Sequence, residues 1–262
     1  MEIELKFDND AYKKTSHVPR CVISDFNLGT MRFKWDEDNQ VRKNYFSKLY
    51  PDKKIIDIEL CHSKKIMEVE NQFDIEQIQK NQVLADGIIT KNTEYIPVVT
   101  VADCVPLFIF DVNSGTFGAL HSGWKGTGII GEAIALIEKK YSSKPSDICV
   151  AIGPHIGSCC YSVTKERAEY FIKNFSSDCV EKLNNEKYSL SLTKANLAVL
   201  KKHSIPEDNI KVIDDCTCCC QRNGNYVYGS FRRQTMAAGG NRPMEELLKM
   251  FTVQAAFVKW DE

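Results

Sequence analysis

The chain has 262 residues, ample for a large buried core, and its 34 Lys and Arg nearly balance its 35 Asp and Glu. A formal net charge of −1 provides no positive field to draw in a nucleic acid or an anionic membrane. The expected partner is therefore a small molecule.

The amino-terminal MEIELKFDND has neither a basic n-region nor an apolar h-region, and no apolar run nears the ~20 residues that a membrane helix requires. The eleven cysteines are odd in number and sit in a long chain, which argues against a secreted disulfide framework. They read as thiols of a cytoplasmic protein, some of them ligands or nucleophiles. Apolar runs rich in β-branched residues predict strands over 55–60, 96–101, 107–110, 116–120, 148–152, 211–213 and 253–258. Spacings of three and four predict helices over 131–141, 164–174, 193–203 and 243–250, with Thr164 and Thr193 as N-caps and Pro243 in a first turn. No repeat, low-complexity tract or linker intervenes, so residues 1–262 are expected to form a single domain. The mixture predicts an α+β (mixed α/β) fold, with mixed β-sheets flanked by helices in more than one layer.

Chemistry is densest between Asp86 and Val163. The strand at 96–101 runs into Ala102-Asp103-Cys104-Val105-Pro106, where Pro106 withholds a ladder donor and is expected to force a bend. Cys104 then sits at a strand end. A later strand leads to Leu120-His121-Ser122-Gly123-Trp124-Lys125-Gly126, in which two glycines let the chain turn beside the imidazole. Cys104 and His121 can thus face one cleft. Thiolate and imidazole suit zinc, and three protein ligands with one open position describe a catalytic site. His62, after the strand at 55–60, is the candidate third ligand; His17 and His203 stand in polar contexts, and His155 follows Gly153-Pro154. The same pair reads equally as a metal-free Cys–His nucleophile. A cysteine at a strand end is also commonly a small buried hydrophobe.

Five blocks occur in a characteristic order: Asp86-Gly87-Ile88-Ile89-Thr90, Ala102-Asp103-Cys104-Val105-Pro106, His121-Ser122-Gly123-Trp124-Lys125-Gly126, Gly153-Pro154-His155-Ile156-Gly157 with Cys160-Tyr161, and Cys216-Thr217 with Ser230-Phe231-Arg232-Arg233. Together they resemble the successive motifs of the YfiH or laccase-domain family, from about Asn27-Leu28-Gly29 onward. The resemblance implies a fold similar to the cytotoxic necrotizing factor catalytic domain and one zinc held by His62, Cys104 and His121. It also implies action on purine nucleosides: adenosine deamination and phosphorolysis of adenosine, inosine or methylthioadenosine. Departures are visible. His62 stands in Leu60-Cys61-His62-Ser63 where the family usually shows Gln-Val-His-Gly, and Ser162 replaces the usual Glu after Tyr161. The family's Thr-Arg-x-Gly-Gly-x-Ser segment has no counterpart around residues 20–25.

For proton transfer the candidates are Asp103 and Asp86, then His155; the blander role for Asp103 is to cap the turn before Pro106. Lys125, Gly128, Arg232 and Arg233 are the candidates for holding phosphate. Gly126 to Gly131 matches GxGxxG, yet a His-Ser-Gly-Trp-Lys block precedes it and no acidic residue closes a following strand about 20 positions on. What survives is a helix N-terminus near Gly128, able to receive an anion. Cys216-Thr217-Cys218-Cys219-Cys220 invites a second metal site, but ribbon spacing needs another pair elsewhere, and the adjacent Cys159-Cys160 reads as packing. Five histidines spread singly cannot supply a multicopper oxidase, so copper is disfavoured. A hydrolase editing peptidoglycan precursors, as some bacterial relatives do, and a catalytically silent zinc-binding module are the alternatives. Monomer and homodimer both stay open.

Overall fold

The computed structural model describes residues 2–5, 18–237 and 242–260; His17 lies outside them. Strands β1 (Glu2–Leu5) and β2 (Arg20–Ser24) precede helix α1 (Gln40–Leu49) and strand β3 (Lys54–Asp57). Strand β4 (Ile66–Glu68), helix α2 (Gln72–Lys80) and strands β5 (Gly87–Thr90), β6 (Tyr95–Val101), β7 (Val105–Asp111) and β8 (Phe117–Ser122) follow. Helix α3 (Ile129–Tyr141) leads to β9 (Ile148–Ile152), β10 (Ser162–Thr164), α4 (Lys165–Asn174), β11 (Val180–Lys182) and β12 (Lys187–Leu190). Then come α5 (Leu192–Lys202), β13 (Ile210–Val212), the hairpin β14 (Gln221–Arg222) with β15 (Asn225–Tyr226), α6 (Phe231–Ala237), α7 (Met244–Leu247) and β16 (Gln254–Lys259).

Among the described residues the strands build a five-stranded sheet, β1-β2-β16-β6-β3, and a six-stranded sheet, β13-β9-β7-β8-β5-β4. Both are mixed: β3 runs parallel to β6, and β13 parallel to β9, within otherwise largely antiparallel ladders. Period-two alternation explains how they stack. On β7, Phe108 and Phe110 join Phe117, Ala119, Cys149 and Ala151 against Val99, Val101, Ala256 and Val258 of the other sheet. Leu107 and Ile109 point the opposite way, under the apolar stripe Ile130, Ala133, Ile134 and Ile137 of α3. Helix α1 covers the far face of the five-stranded sheet through Tyr45 and Phe46, which meet Val98 and Phe257. The result is the expected α+β architecture, helices outside and two sheets between.

Local chemistry fixes the ends of the elements. Asn71 and Asp74 form a reciprocal capping box at the start of α2. Thr164 occupies the N-cap of α4, but α5 is capped by Ser191, whose side chain accepts from the Lys194 amide at 3.2 Å, and not by Thr193. Thr193 is diverted because its hydroxyl donates to Asp214 at 2.9 Å. The strand expected over 55–60 stops at Asp57, leaving Glu59 to make an isolated bridge with Leu84. Helix α7 is shorter than the 243–250 expectation. The bend near Pro106 falls earlier than expected: Pro106 stays in β7, opposite His121, and the reversal occurs around Asp103, whose φ is 81°. No described helix is long and apolar enough to cross a membrane.

Candidate active site

The ends of both sheets meet around residues 62, 104 and 121. Beyond β3 the chain leaves its sheet, and His62 adopts the left-handed region at φ 59°. Cys104 ends the reversal between β6 and β7. His121 belongs to β8 in register with Pro106, on the same strand face as Phe117 and Ala119. Side-chain ligand atoms of His62, Cys104 and His121 all lie within 4.8 Å of one another. The two imidazole rings meet edge to face, centroids 4.9 Å apart at 86°. His62 is exposed, Cys104 half-buried and His121 buried, so the trio opens to solvent on the His62 side.

Asp86 organises this corner. Its carboxylate, fully buried, accepts from His121 Nδ1 at 2.9 Å, from the His62 amide at 2.9 Å, and from the Ser63 amide and hydroxyl at 2.6 and 2.7 Å. Its carbonyl also accepts from the His121 amide at 2.7 Å. Because an ionised carboxylate only accepts, the Nδ1 proton stays on His121 and Nε2 is the nitrogen left for a ligand. Burial works against the charge on Asp86, yet the hydrogen bonds from His121 and Ser63 outweigh it and hold the carboxyl well below the usual range. Burial likewise opposes ionisation of Cys104 and His121. For Cys104 the charge and hydrogen bond of His121, with His62, bring the thiol down to about 6. For His121 the charge of Cys104 and the bond to Asp86 raise the imidazole to about 9.

Two imidazoles and a thiolate form a donor set for a borderline-soft divalent ion, and the backbone leaves room for one. A Cβ added to Gly123 would stand 2.9 Å from Cδ2 of His62 and 3.2 Å from Sγ of Cys104, inside the cradle the three side chains make. This chain uses glycine there because any larger residue would push the donors apart.

The other expected residues sort into two groups. Asp103 borders the site but is committed: it accepts from the Thr217 hydroxyl at 2.7 Å and the Arg232 amide at 2.6 Å. His155 is buried, its Nδ1 2.8 Å from the Gly153 carbonyl and its Nε2 2.9 Å from the Thr193 hydroxyl. Burial pushes its pKa down. Lys125 is exposed, its amine 5.5 Å from the Trp124 ring centre, and Arg167 packs on the same ring at 4.2 Å. Arg167 also donates to the Tyr161 hydroxyl at 3.3 Å, and Arg232 sits 5.7 Å from the Tyr161 ring centre. A band of three cations interleaved with two aromatic rings therefore runs from Lys125 to Arg232. Arg233 is not part of it. Its guanidinium donates to the carbonyls of Thr217, Cys218 and Tyr228 and stacks on Tyr226 at 3.8 Å.

Gly128 caps α3 with φ 101°, a conformation that side chains resist, and the Lys64 amine lies 3.0 Å from where its Cβ would be. Lys64, Ser63, Arg167 and Thr217 are the site neighbours that the sequence reading passed over. Of these, Thr217 stood in a recognised block and Ser63 in the segment that carries His62. The others are brought near by loop packing, which leaves no spacing signal.

A protein of Clostridium acetobutylicum named purine nucleoside phosphorylase is 33% identical over 162 residues, 61% of this chain and 66% of that protein. Purine nucleoside phosphorylase YlmD of Geobacillus stearothermophilus is 33% identical over 139 residues, 51% of each chain. Adenosine deaminase RL5, from an unknown prokaryotic organism, is 28% identical over 165 residues, 60% of this chain and 63% of that one. The matches thus span between half and just under two thirds of these relatives. The crystal structure of YlmD superimposes with a TM-score of 0.77 at 23% identity, covering 93% of this chain and 92% of that one, which establishes a shared fold. The pattern of the family described as multi-copper polyphenol oxidoreductase laccase matches residues 12–242, and this chain belongs to that family.

Proposed function

We propose that the chain is a zinc-dependent purine nucleoside enzyme, cleaving adenosine, inosine or methylthioadenosine with phosphate and deaminating adenosine. The observation that carries the reading is the convergence of His62, Cys104 and His121 within 4.8 Å in a chain whose relatives bear phosphorylase and deaminase names. These three residues would hold one zinc, which when bound supplies Lewis acidity at the reacting centre. In phosphorolysis a phosphate oxygen bonds to C1′ of the ribose as the glycosidic C–N bond breaks, and the base leaves with a proton. In deamination water adds at C6 of the purine and ammonia departs.

The chain's own residues do the positioning. Asp86 fixes the tautomer and orientation of His121, and holds His62 through its backbone amide. Asp103, engaged by Thr217 and Arg232, acts by shaping the reversal that presents Cys104. Lys125, Arg167 and Arg232 supply positive charge for the phosphate, with the amino end of α3 at Gly128 beside Lys64 as a further anion-favouring element. Eleven free thiols suit a cytoplasmic setting. The test is direct: incubate purified protein with adenosine, then with inosine and phosphate, and separate the products. Hypoxanthine, adenine or inosine above the level of a Cys104→Ala control supports the reading; their absence ends it.

One observation favours a second reading. A thiol lowered to about 6 beside an imidazole raised to about 9 is also an activated, metal-free nucleophile. Elemental analysis of the active protein separates the two, because stoichiometric zinc is required by the first and absent in the second.

A further inference from the structure

Cys159-Cys160, expected to be packing, and the Cys216–Cys220 cluster, expected to lack a partner pair, come together. Cys159 and Cys160 lie in the loop after β9, and Cys216 and Cys219 in the loop after β13. Those two strands are parallel neighbours, so both loops leave the same end of the sheet. Backbone bonds lace them together: the His155 amide reaches the Asp215 carbonyl at 3.3 Å, and the Thr217 amide reaches the His155 carbonyl at 3.0 Å. The four sulfurs consequently lie within 4.8 Å of one another. The pair that Cys216-x-x-Cys219 lacks in ribbon spacing along the chain is supplied in space.

From this arrangement we infer that Cys159, Cys160, Cys216 and Cys219 form a second, structural metal site for zinc or a similar thiophilic divalent ion, separate from the His62–Cys104–His121 trio. A Zn–S bond of about 2.3 Å at tetrahedral angles sets sulfurs about 3.8 Å apart. Cys159 and Cys219 are 3.8 Å apart, whereas a disulfide needs about 2.05 Å. The turn that carries Cys216 and Cys219 is closed by amides of Cys219 and Cys220 on the Cys216 carbonyl, at 3.3 and 2.8 Å. A further amide, that of Gly157, points at the Cys216 sulfur from 3.2 Å, the kind of outer hydrogen bond that steadies a metal thiolate.

Cys159 and Cys219 are exposed, which gives the ion an entry path. All four coordination positions would be protein sulfur, so the site would staple and not catalyse. What it staples matters: Thr217, next to Cys216, holds Asp103, and Arg233 grips the carbonyls of Thr217 and Cys218.

The test uses full-length protein carrying Cys104→Ala, which removes the only thiolate of the first site and makes the result independent of the nucleoside reading. Stripped by chelation and kept anaerobic, it is titrated with Co²⁺ alone. The expected result is one equivalent bound, with the sulfur-to-cobalt charge-transfer band and tetrahedral d–d bands of a thiolate site, displaced by zinc. Adding Cys159→Ser and Cys219→Ser, both at exposed positions and checked for fold by circular dichroism, should weaken Co²⁺ binding roughly tenfold or more. Absence of the charge-transfer band in the Cys104→Ala protein overturns the proposal. So does a band undiminished by the two serine substitutions, or a Cys159–Cys219 disulfide in freshly isolated, metal-free protein.

Discussion

Oδ1 of Asp86 lies 2.9 Å from Nδ1 of His121, and the same carboxylate takes the backbone amide of His62 at 2.9 Å, so one buried group orients two of the three proposed ligands. Asp86→Asn keeps the shape but removes the charge and turns one acceptor into a donor facing Nδ1. Outer-shell carboxylates of this kind are worth about 10- to 100-fold in metal affinity. Competition with a chelator should show a loss of that size at the trio, while the tetrahedral spectrum of a Co²⁺-loaded sample keeps its form. Unchanged affinity would mean that Asp86 serves only to fold the 61–63 loop.

Gly123→Ala tests the cradle. Its methyl would stand 2.9 Å from the His62 ring and 3.2 Å from the Cys104 sulfur, so one or both must move by several tenths of an ångström. A displacement approaching 1 Å costs on the order of 100-fold in rate. We expect kcat to fall by at least about tenfold with little change in melting temperature. Full activity would show that the reacting atoms do not lie where the three donors converge.

Arg232 and Arg233 are neighbours with opposite expected behaviour. Arg232→Gln should raise KM for phosphate several-fold while leaving KM for nucleoside nearly unaltered, since its guanidinium lies in the cationic band over Tyr161. Arg233→Gln should instead destabilise, because three carbonyls lose a charged donor. A loss of about 2 kcal/mol is expected for such bonds. That corresponds to a melting temperature lower by about 4–8 °C for a chain of this size. Differential scanning calorimetry and initial-rate kinetics on both variants settle the assignment, and reversed outcomes would exchange the two roles.

Tyr45 contributes to the loss of stability at alkaline pH. Burial first, and then the hydrogen bond to Glu2 at 2.7 Å, raise its phenol far above the ordinary value. An unfolded tyrosine loses its proton near pH 10, about where the folded one still keeps it. Above that pH the unfolded state binds fewer protons at this group, so the stability that Tyr45 contributes is complete below about pH 10 and is lost as pH rises. Urea midpoints measured from about pH 9 to 11.5 should drop more steeply for the native protein than for Tyr45→Phe. Parallel curves would place the alkaline loss elsewhere.

The residues themselves explain what could be read in advance. Strands β6, β7, β8, β9 and β16 are buried along most of their length, and such continuous apolar runs are visible without a structure. Helix α2 was not, because QFDIEQIQK buries only Ile75 and Ile78 and owes its start to Asn71 and Asp74. Helix α1 hides similarly: its buried residues include Arg42, which donates to Asp57 and to the Met31 carbonyl while sitting by the rings of Phe33 and Phe46. Cys104 and His121 were legible as strand-end donors, but the role of Ser63 was not, since it depends on a carboxylate 23 positions away. Likewise, Cys159 and Cys219 meet across 60 positions, a juxtaposition that only the parallel pairing of β9 and β13 creates.

The place of β16 between β2 and β6 has a consequence for biosynthesis. Two strands made early must wait, edges unsatisfied, until residues 254–259 clear the ribosome. At about 5–20 residues per second, the stretch between β6 and β16 takes roughly 8–30 s to translate. During that interval the nascent chain carries two unpaired strand edges, the backbone groups on which aggregation feeds.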